Sequence, residues 1–491
     1  MEGSLGVIGL KREQKSYWES RAPLTPEDVA ELVGQGIRVL VQPSTLRCFN
    51  DSEYVRAGAE LTEDLSEASL IVGLQVFPAE LVLPKRTYMI FPHVIKGQLQ
   101  NMELLDAFLD TKVRLIDYES IKDPEPPNKR LVAFGDYAGQ AAIIDFIGGL
   151  GEFLLVRGVT TPFVHLARCY RYSNLVSAEE DFALVSQRIE TVGLPKDLSP
   201  LVIGVTGSGR TATGALEVLN CLPVERVEVE QLPSLWERAD RANKVFIVQL
   251  TDAQLVRRKD GGPFSKAEYR SQPDLYEGNL DHYLQYLSIL INCVYWDSRY
   301  PRFLTRDKLK QATLEGKNRL LGICDVTCDI RGSIEILAKH MTPHEPFFLY
   351  APLTGRMHTM HSRHASQSIL YHSVDILPSE LPVDSSKAFS NMLAKYVKIL
   401  ANDTTAALPL AEQNLPEELR SAIITLDGSL TERFRYIEKL RAKVVLESPT
   451  AIWTNEIDED FLNNIHNAKF GEKLTPENKE KLIRLIARCR E

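Results

Sequence analysis

The chain has 491 residues, 44% of them hydrophobic and 25% charged, with a formal net charge of −9. That length suits two or three domains, and the composition is that of a folded globular protein, not a disordered or collagen-like one. The negative balance argues against nucleic acid or an anionic membrane as the main partner, while leaving room for a local basic pocket for a small anion.

The first stretch alternates short apolar runs with helical patterns. Leu5–Leu10 reads as a strand, Pro26–Gly36 as a helix with Val29, Leu32 and Val33 on one face, and Ile37–Gln42 as a strand. Strands follow at Leu70–Leu74 and Tyr88–Phe91, then a helix at Met102–Leu109 and a strand at Val113–Tyr118. This βαβ rhythm predicts a mostly parallel sheet covered by helices. Phe134–Leu155 predicts a long helix linking two domains, with small residues for close packing. Its apolar part, Ala138–Val156, carries Asp145 and Glu152, so no membrane span is expected. A second unit starts near 200, with strands at Leu201–Val205, Val227–Val229, Val245–Leu250, Leu287–Val294 and Leu320–Cys324, and a helix at Arg210–Leu219. A helix at Ser386–Leu400 and a charged helical tail at 446–491 complete the pattern. Seven cysteines, five of them far from any partner in sequence, read as reduced thiols, and the N-terminus lacks a secretory or transit pattern, so a cytoplasmic protein is expected. A mitochondrial matrix location stays open if a transit segment was trimmed.

Gly207-Ser208-Gly209-Arg210 follows an apolar strand and opens a helix, the context that a dinucleotide-binding loop needs. Gly214 stands five residues after Gly209, which displaces the third glycine of GxGxxG. The loop alone fits a nucleotide site and an ordinary strand-to-helix turn equally. Glu228 stands about twenty residues on, where a ribose-binding acid is expected. His93 follows a strand end and is a candidate general base, with a structural histidine as the alternative. Arg21 and Arg130 are candidate carboxylate clamps or plain surface arginines. His358, His361 and His364 lack a fourth ligand, as do Cys324 and Cys328, so no metal is expected.

Stretches such as WESRAPLTP (18–26), FPHVIKGQ (91–98), LIDYE (115–119), RLVAFGDYAGQA (130–141), SPLVIGVTGSG (199–209) and GICDVTCDIRGSIE (322–335) occur in collinear order. In these the chain resembles the lysine–ketoglutarate reductase part of α-aminoadipic semialdehyde synthase. More distantly it is similar to lysine-forming saccharopine dehydrogenase and the alanine dehydrogenase/transhydrogenase group. The resemblance implies an α/β fold of two Rossmann-like domains with mostly parallel sheets and an interdomain cleft. The first domain would be 1–150, completed by about 352–445, and bind substrate; the second would be 151–351 and bind the dinucleotide. It implies condensation of L-lysine with 2-oxoglutarate and reduction of the imine to saccharopine by NADPH, with NADH as the other option. A homo-oligomer or a separate saccharopine dehydrogenase are the partners it leaves open.

By the same resemblance His93 is the catalytic histidine, and Arg21, Arg130 and Glu119 hold substrate. Gly207, Ser208 and Gly209 fit its cofactor loop, to which the reading of the loop itself adds Arg210, Gly214 and Glu228 as candidate cofactor-binding residues. The chain also departs from the family. Gln75 stands where the family has a lysine acid/base, Ser20 replaces an arginine, Arg210 an asparagine and Arg331 a small residue, and glycines near 362–368 are missing. Lys96 is the candidate substitute for the missing lysine. The departures leave two alternatives to an active reductase: a weakened relative that binds ligands as a regulator or partner, and a dehydrogenase of another amino or oxo acid.

Overall fold

The computed structural model describes residues 6–125 and 129–447. The expected tail at 446–491 lies, but for its first residues, outside the described range. The first strands are β1 (Ile8–Leu10), β2 (Val39–Val41), β3 (Glu60–Leu61), β4 (Leu70–Val72), β5 (Thr87–Ile90) and β6 (Arg114–Asp117). Next come β7 (Leu201–Thr206), β8 (Val224–Arg226), β9 (Val245–Leu250), β10 (Val256–Arg258), β11 (Tyr276–Gly278), β12 (Ile289–Asn292) and β13 (Gly322–Asp325). The last are β14 (Phe347–Ala351), β15 (Arg356–His358), β16 (Ile369–His372), β17 (Ile423–Leu426) and β18 (Ser429–Leu430).

They form two eight-stranded sheets, ordered β18-β17-β6-β5-β4-β1-β2-β3 and β15-β14-β16-β13-β12-β7-β9-β8. Strands β1–β6 pair in parallel, as do β7, β8, β9, β12, β13 and β16. Both faces of each sheet are buried, which is why these strands read as continuous apolar runs. Leu70 and Val72 face one core while Ile71 faces another. In the second sheet Ile203 and Val205 face one core and Val202 the other. This is the expected α/β architecture.

Six helices matter below: α1 (Pro26–Gly34), α2 (Asp51–Arg56), α3 (Met102–Asp110), α4 (Gly135–Val156), α5 (Leu175–Val192) and α6 (Arg210–Leu219). Thr25 caps α1 by accepting the Asp28 amide, with Pro26 in the first turn. Helix α4 is apolar and long enough to cross a membrane, yet it is a core helix, with Ala141 to Ile144 and Phe146, Ile147 and Leu150 all at 0% exposure. Its small residues let α6 cross at close range. A Cβ on Gly139 would sit 2.1 Å from the Thr211 carbonyl, and one on Gly214 would sit 2.0 Å from the Asp136 carbonyl. Gly214 therefore serves helix packing, which accounts for its displacement from the GxGxxG spacing.

Two boundaries differ from the sequence reading. The chain does not leave the second unit near 352: β14 and β15 form an antiparallel hairpin on the edge of β16. The first unit resumes at the helix Pro382–Ala401, whose Phe389, Leu393, Tyr396 and Val397 enter its core, followed by β17 antiparallel to β6. An edge hairpin lacks the βα alternation that marked the earlier elements, so its membership was not visible. The second difference is that the strand expected at Val227–Val229 is Val224–Arg226. Glu228 instead caps a short helical turn, its amide donating to Gln231 Oε1 at 2.8 Å.

Candidate active site

In the first sheet the chain order reverses between β1 and β4, and ligands of such sheets bind at the carboxyl ends of strands flanking that point. The loops leaving β1, β4, β5 and β6 carry Glu13 to Arg21, Gln75, His93 and Glu119 respectively. Glu13 laces the first two loops together. Its carboxylate accepts the amides of Leu74 at 2.7 Å and Gln75 at 2.9 Å. Burial pushes the Glu13 carboxyl above its ordinary range, against the opposing charge of Lys11.

Glu19 binds Arg21 through two hydrogen bonds, 2.7 Å to Nε and 2.5 Å to a terminal nitrogen. Burial would raise the Glu19 carboxyl, but Arg21 and Gln75 outweigh it and hold it below its ordinary value. Gln75 Nε2 donates to Glu19 at 3.1 Å, and Lys15 Nζ lies 3.5 Å from Gln75 Oε1. Arg21 is 4% exposed, with one edge taken by Glu19 and its plane 4.3 Å from the Phe134 ring centroid. The expected substrate arginine is thus built into a buried Arg21–Glu19–Gln75 chain.

His93 has φ +49°, a left-handed conformation uncommon for a non-glycine residue. Asn101 Nδ2 donates to its backbone carbonyl at 3.0 Å and fixes this turn. The imidazole Nδ1 lies 3.9 Å from one Glu119 oxygen, and Arg130 binds the other at 3.0 Å. His93, Glu119 and Arg130 are therefore brought together. Burial lowers the His93 pKa, Glu119 opposes this, and Lys15 and Arg130 push it further down. A histidine so placed is neutral at pH 7 and able to accept a proton. Asp117 is buried beneath Glu119, accepting the Glu119 amide at 2.9 Å and the Ser120 hydroxyl at 3.0 Å. Burial, with the Glu119 charge, raises its pKa to about 7. Lys96 does not join the group: its ammonium lies 4.6 Å from the ring centroid of Tyr295, in the loop after β12. That contact bridges the cleft between the two sheet edges.

Across the cleft, β7 ends at the glycine loop. Gly207 has φ +81°, which favours glycine. Its amide donates to Leu250 at 3.0 Å and its carbonyl accepts from Gln249 Nε2 at 2.7 Å. Ser208 is exposed, and Gly209 is the N-cap of α6 with nothing within 4 Å of where a Cβ would stand. The open approach and the free amides of the first helical turn suit a pyrophosphate. Arg210 turns away from the loop and pairs with Asp136 at 2.6 Å. Glu228 is also apart from it: β9 lies between β7 and β8, so Thr251 and Asp252, at the end of β9, stand beside the glycine loop. One intervening strand adds about 4.8 Å of separation.

Among the described residues no cluster of three or more His, Cys, Asp or Glu is placed to hold a metal. His358 and His364 stack on each other at 4.5 Å, and Cys324 Sγ lies 3.4 Å from His372 Nδ1 inside the core. The sequence reading missed Glu13, Lys15, Glu19, Asn101 and Asp117. The strand-end argument that singled out His93 applies equally to the charged run after β1, and would have found the first three.

Residues 9–141 match the family described as alanine dehydrogenase/PNT, N-terminal domain. The chain is 37% identical over 450 residues to alpha-aminoadipic semialdehyde synthase, mitochondrial, of Bos taurus, covering 89% of this chain and 48% of that protein. With the synthase of Arabidopsis thaliana the identity is 36% over 478 residues, covering 94% and 44%. The chain thus spans about half the length of these relatives. Saccharopine dehydrogenase [NAD(+), L-lysine-forming] of Yarrowia lipolytica is 25% identical over 411 residues, covering 81% of this chain and 93% of that protein. An L-alanine dehydrogenase structure superposes with a TM-score of 0.56 at 17% identity, covering 89% of this chain and 99% of that one. The chain is a homologue of alpha-aminoadipic semialdehyde synthase, related to saccharopine dehydrogenase and built on the alanine dehydrogenase fold.

Proposed function

We propose that the chain is a nicotinamide-dependent reductase that condenses L-lysine with 2-oxoglutarate and reduces the imine to saccharopine, with NADPH as the preferred cofactor. The observation that carries this reading is the meeting of His93, Glu119 and Arg130 on one sheet edge, with a glycine loop on the opposing edge. The saccharopine-forming reaction fits the names of the relatives, an alpha-aminoadipic semialdehyde synthase of which this chain spans about half and a lysine-forming saccharopine dehydrogenase that it covers to 93%.

The backbone of Gly207 to Arg210 would hold the pyrophosphate, and the bound cofactor supplies the hydride. His93, neutral at pH 7, takes a proton from the lysine ε-ammonium so that the amine can attack the 2-oxoglutarate carbonyl. Arg130 pairs with a substrate carboxylate, exchanging part of its contact with Glu119, and Arg21 contributes positive charge from below. Glu119 orients the imidazole and steadies the charge that develops on it. The first domain is the substrate half and the second the cofactor half. The mitochondrial designation of the cattle and rat relatives supports the matrix as the compartment.

Gln75 favours a second reading, a weakened relative that binds ligands, because an amide exchanges no proton near pH 7. The test is oxidation of NADPH, and separately of NADH, with lysine and 2-oxoglutarate. Product formation at ordinary enzyme rates supports the reductase. Binding of both substrates without turnover supports the second reading.

A further inference from the structure

We propose that Lys15 is the proton donor of this active site, taking the place that Gln75 leaves without a titrating group. The inference rests on the reductase reading above.

Dehydration of the carbinolamine needs an acid besides His93. Lys122 stands beside Arg130 at the far end of this rim, in the field of Asp117 and Glu119. Nearer to Gln75 the amines of Lys11, Lys15 and Lys96 go to different places. Lys11 is turned back, its ammonium donating to the Arg12 carbonyl at 2.7 Å and lying 4.6 Å from the Phe77 ring centroid. Lys96 reaches across the cleft to Tyr295. Lys15 alone brings its ammonium to the end of the Gln75 side chain, at 3.5 Å. The loop geometry makes this placement specific. Glu13 fastens the β4 loop through the Leu74 and Gln75 amides, so the residue two positions on stands over Gln75. Gln75 is held in turn by its bond to Glu19. Lys15 also lines a cavity shared with Asn101, the residue that fixes the His93 turn. A second observation agrees: the Lys15 charge is one of those that press the His93 pKa downward, so the ammonium lies within electrostatic reach of the imidazole.

The step balances as follows. The Lys15 ammonium gives a proton to the carbinolamine hydroxyl. The C–O bond breaks with its electron pair, water leaves, and the nitrogen lone pair closes the C=N bond. Lys15, now a neutral amine, regains its proton from solvent at the exposed mouth of the cleft. Glutamine at 75 then acts as a guide that accepts a hydrogen bond from the donor between turnovers.

The test compares wild type, Lys15→Met, Lys96→Met and the double variant Lys15→Met/Gln75→Lys. Saccharopine formation is measured across pH, and NADPH binding is followed by thermal shift. Lys15→Met is expected to lower kcat by about 10²-fold, within the usual range for one acid/base group. It should also remove the alkaline limb of the pH–rate profile while NADPH binding is kept. Restoring a lysine at 75 in that background should recover at least tenfold, with a limb again present. Turnover in Lys15→Met equal to wild type overturns the proposal, and so does a loss confined to Lys96→Met. Failure of the double variant to recover, with folding and NADPH binding intact, also overturns it. Wild type that binds NADPH but forms no saccharopine overturns the reductase reading and this proposal together. Active wild type that is indifferent to Lys15 overturns this proposal alone.

Discussion

The two sheet edges that face the cleft solve different problems with different materials. The first sheet offers side chains: Lys15, Glu19, Gln75, His93 and Glu119 come from four separate loops, tied by ion pairs and amide contacts. The second offers backbone, a short glycine turn opening α6, and it turns its nearest strong charge, Arg210, away toward Asp136. Proton transfer needs groups with adjustable pKa values set at chosen points. Holding a pyrophosphate needs amides and room, which backbone supplies. The contrast makes the two edges separable by mutation.

The largest expected effect removes the base. His93→Gln should lower kcat by about 10²–10⁴ and leave the NADPH-induced thermal shift unchanged, as read by steady-state kinetics beside calorimetry. In wild type the acidic limb of kcat/KM should fall below the ordinary histidine value, because burial lowers the His93 pKa.

The next variant breaks the first unit without touching either edge. Arg114 and Asp403 form a buried pair at 2.6 Å that ties β6 to the returning chain. Asp403→Ala leaves the arginine unpaired and should destabilise the protein by about 3–5 kcal/mol. Urea unfolding should report the loss, with the transition of the first unit preceding that of the second.

On the other edge, Gly209→Asp places a carboxylate in the open approach to α6 and should weaken NADPH by at least about 100-fold. The fold should stay intact, since a Cβ there meets no atom within 4 Å. Equal thermal shifts in variant and wild type would remove the cofactor site from this loop. Arg130→Lys keeps the charge and loses the planar fork, so the KM for 2-oxoglutarate should rise about tenfold with little change for NADPH.

The last expected effect is graded and not all-or-none: stability against pH. Asp117 has a pKa raised to about 7 in the folded chain, so the folded state binds more protons than the unfolded one between about pH 4 and 7. Stability from this group is therefore present at low pH and lost as pH rises through that window, by up to about 1.4 kcal/mol per pH unit. Asp117→Asn should flatten the decline, measured as Tm against pH.

How far each edge could be read from sequence follows from the same contrast. The glycine loop is local: Leu201–Thr206, Gly207 to Gly209 and Arg210–Leu219 are contiguous, and the helix bounds agree with the expected ones. The edge that carries His93 is assembled from positions 13 to 130, so only its strand-end histidine and the motif-matched arginines and glutamate were visible. Glu13 and Asn101 act on neighbours' backbones, a role with no sequence signature. Glu228 stands away from the glycine loop for a topological reason. The sequence reading counted residues from the glycine loop, whereas the sheet inserts β9 between β7 and β8.

Phe134 stacks on Phe389 at 4.3 Å and carries the Arg21 guanidinium on its ring, and the next residues begin α4. Two residues on, Asp136 grips Arg210, and its carbonyl presses on Gly214. The edge that carries Arg21 and the glycine loop are thus joined through a single helix start. The Asp136 carbonyl lies close against α6, which locks α4 and α6 together within the one core they share. A bulkier residue at Gly214 would force α6 away from the start of α4 and loosen the core beneath the glycine loop, while the loops that carry His93, Glu119 and Gln75 stay where they are.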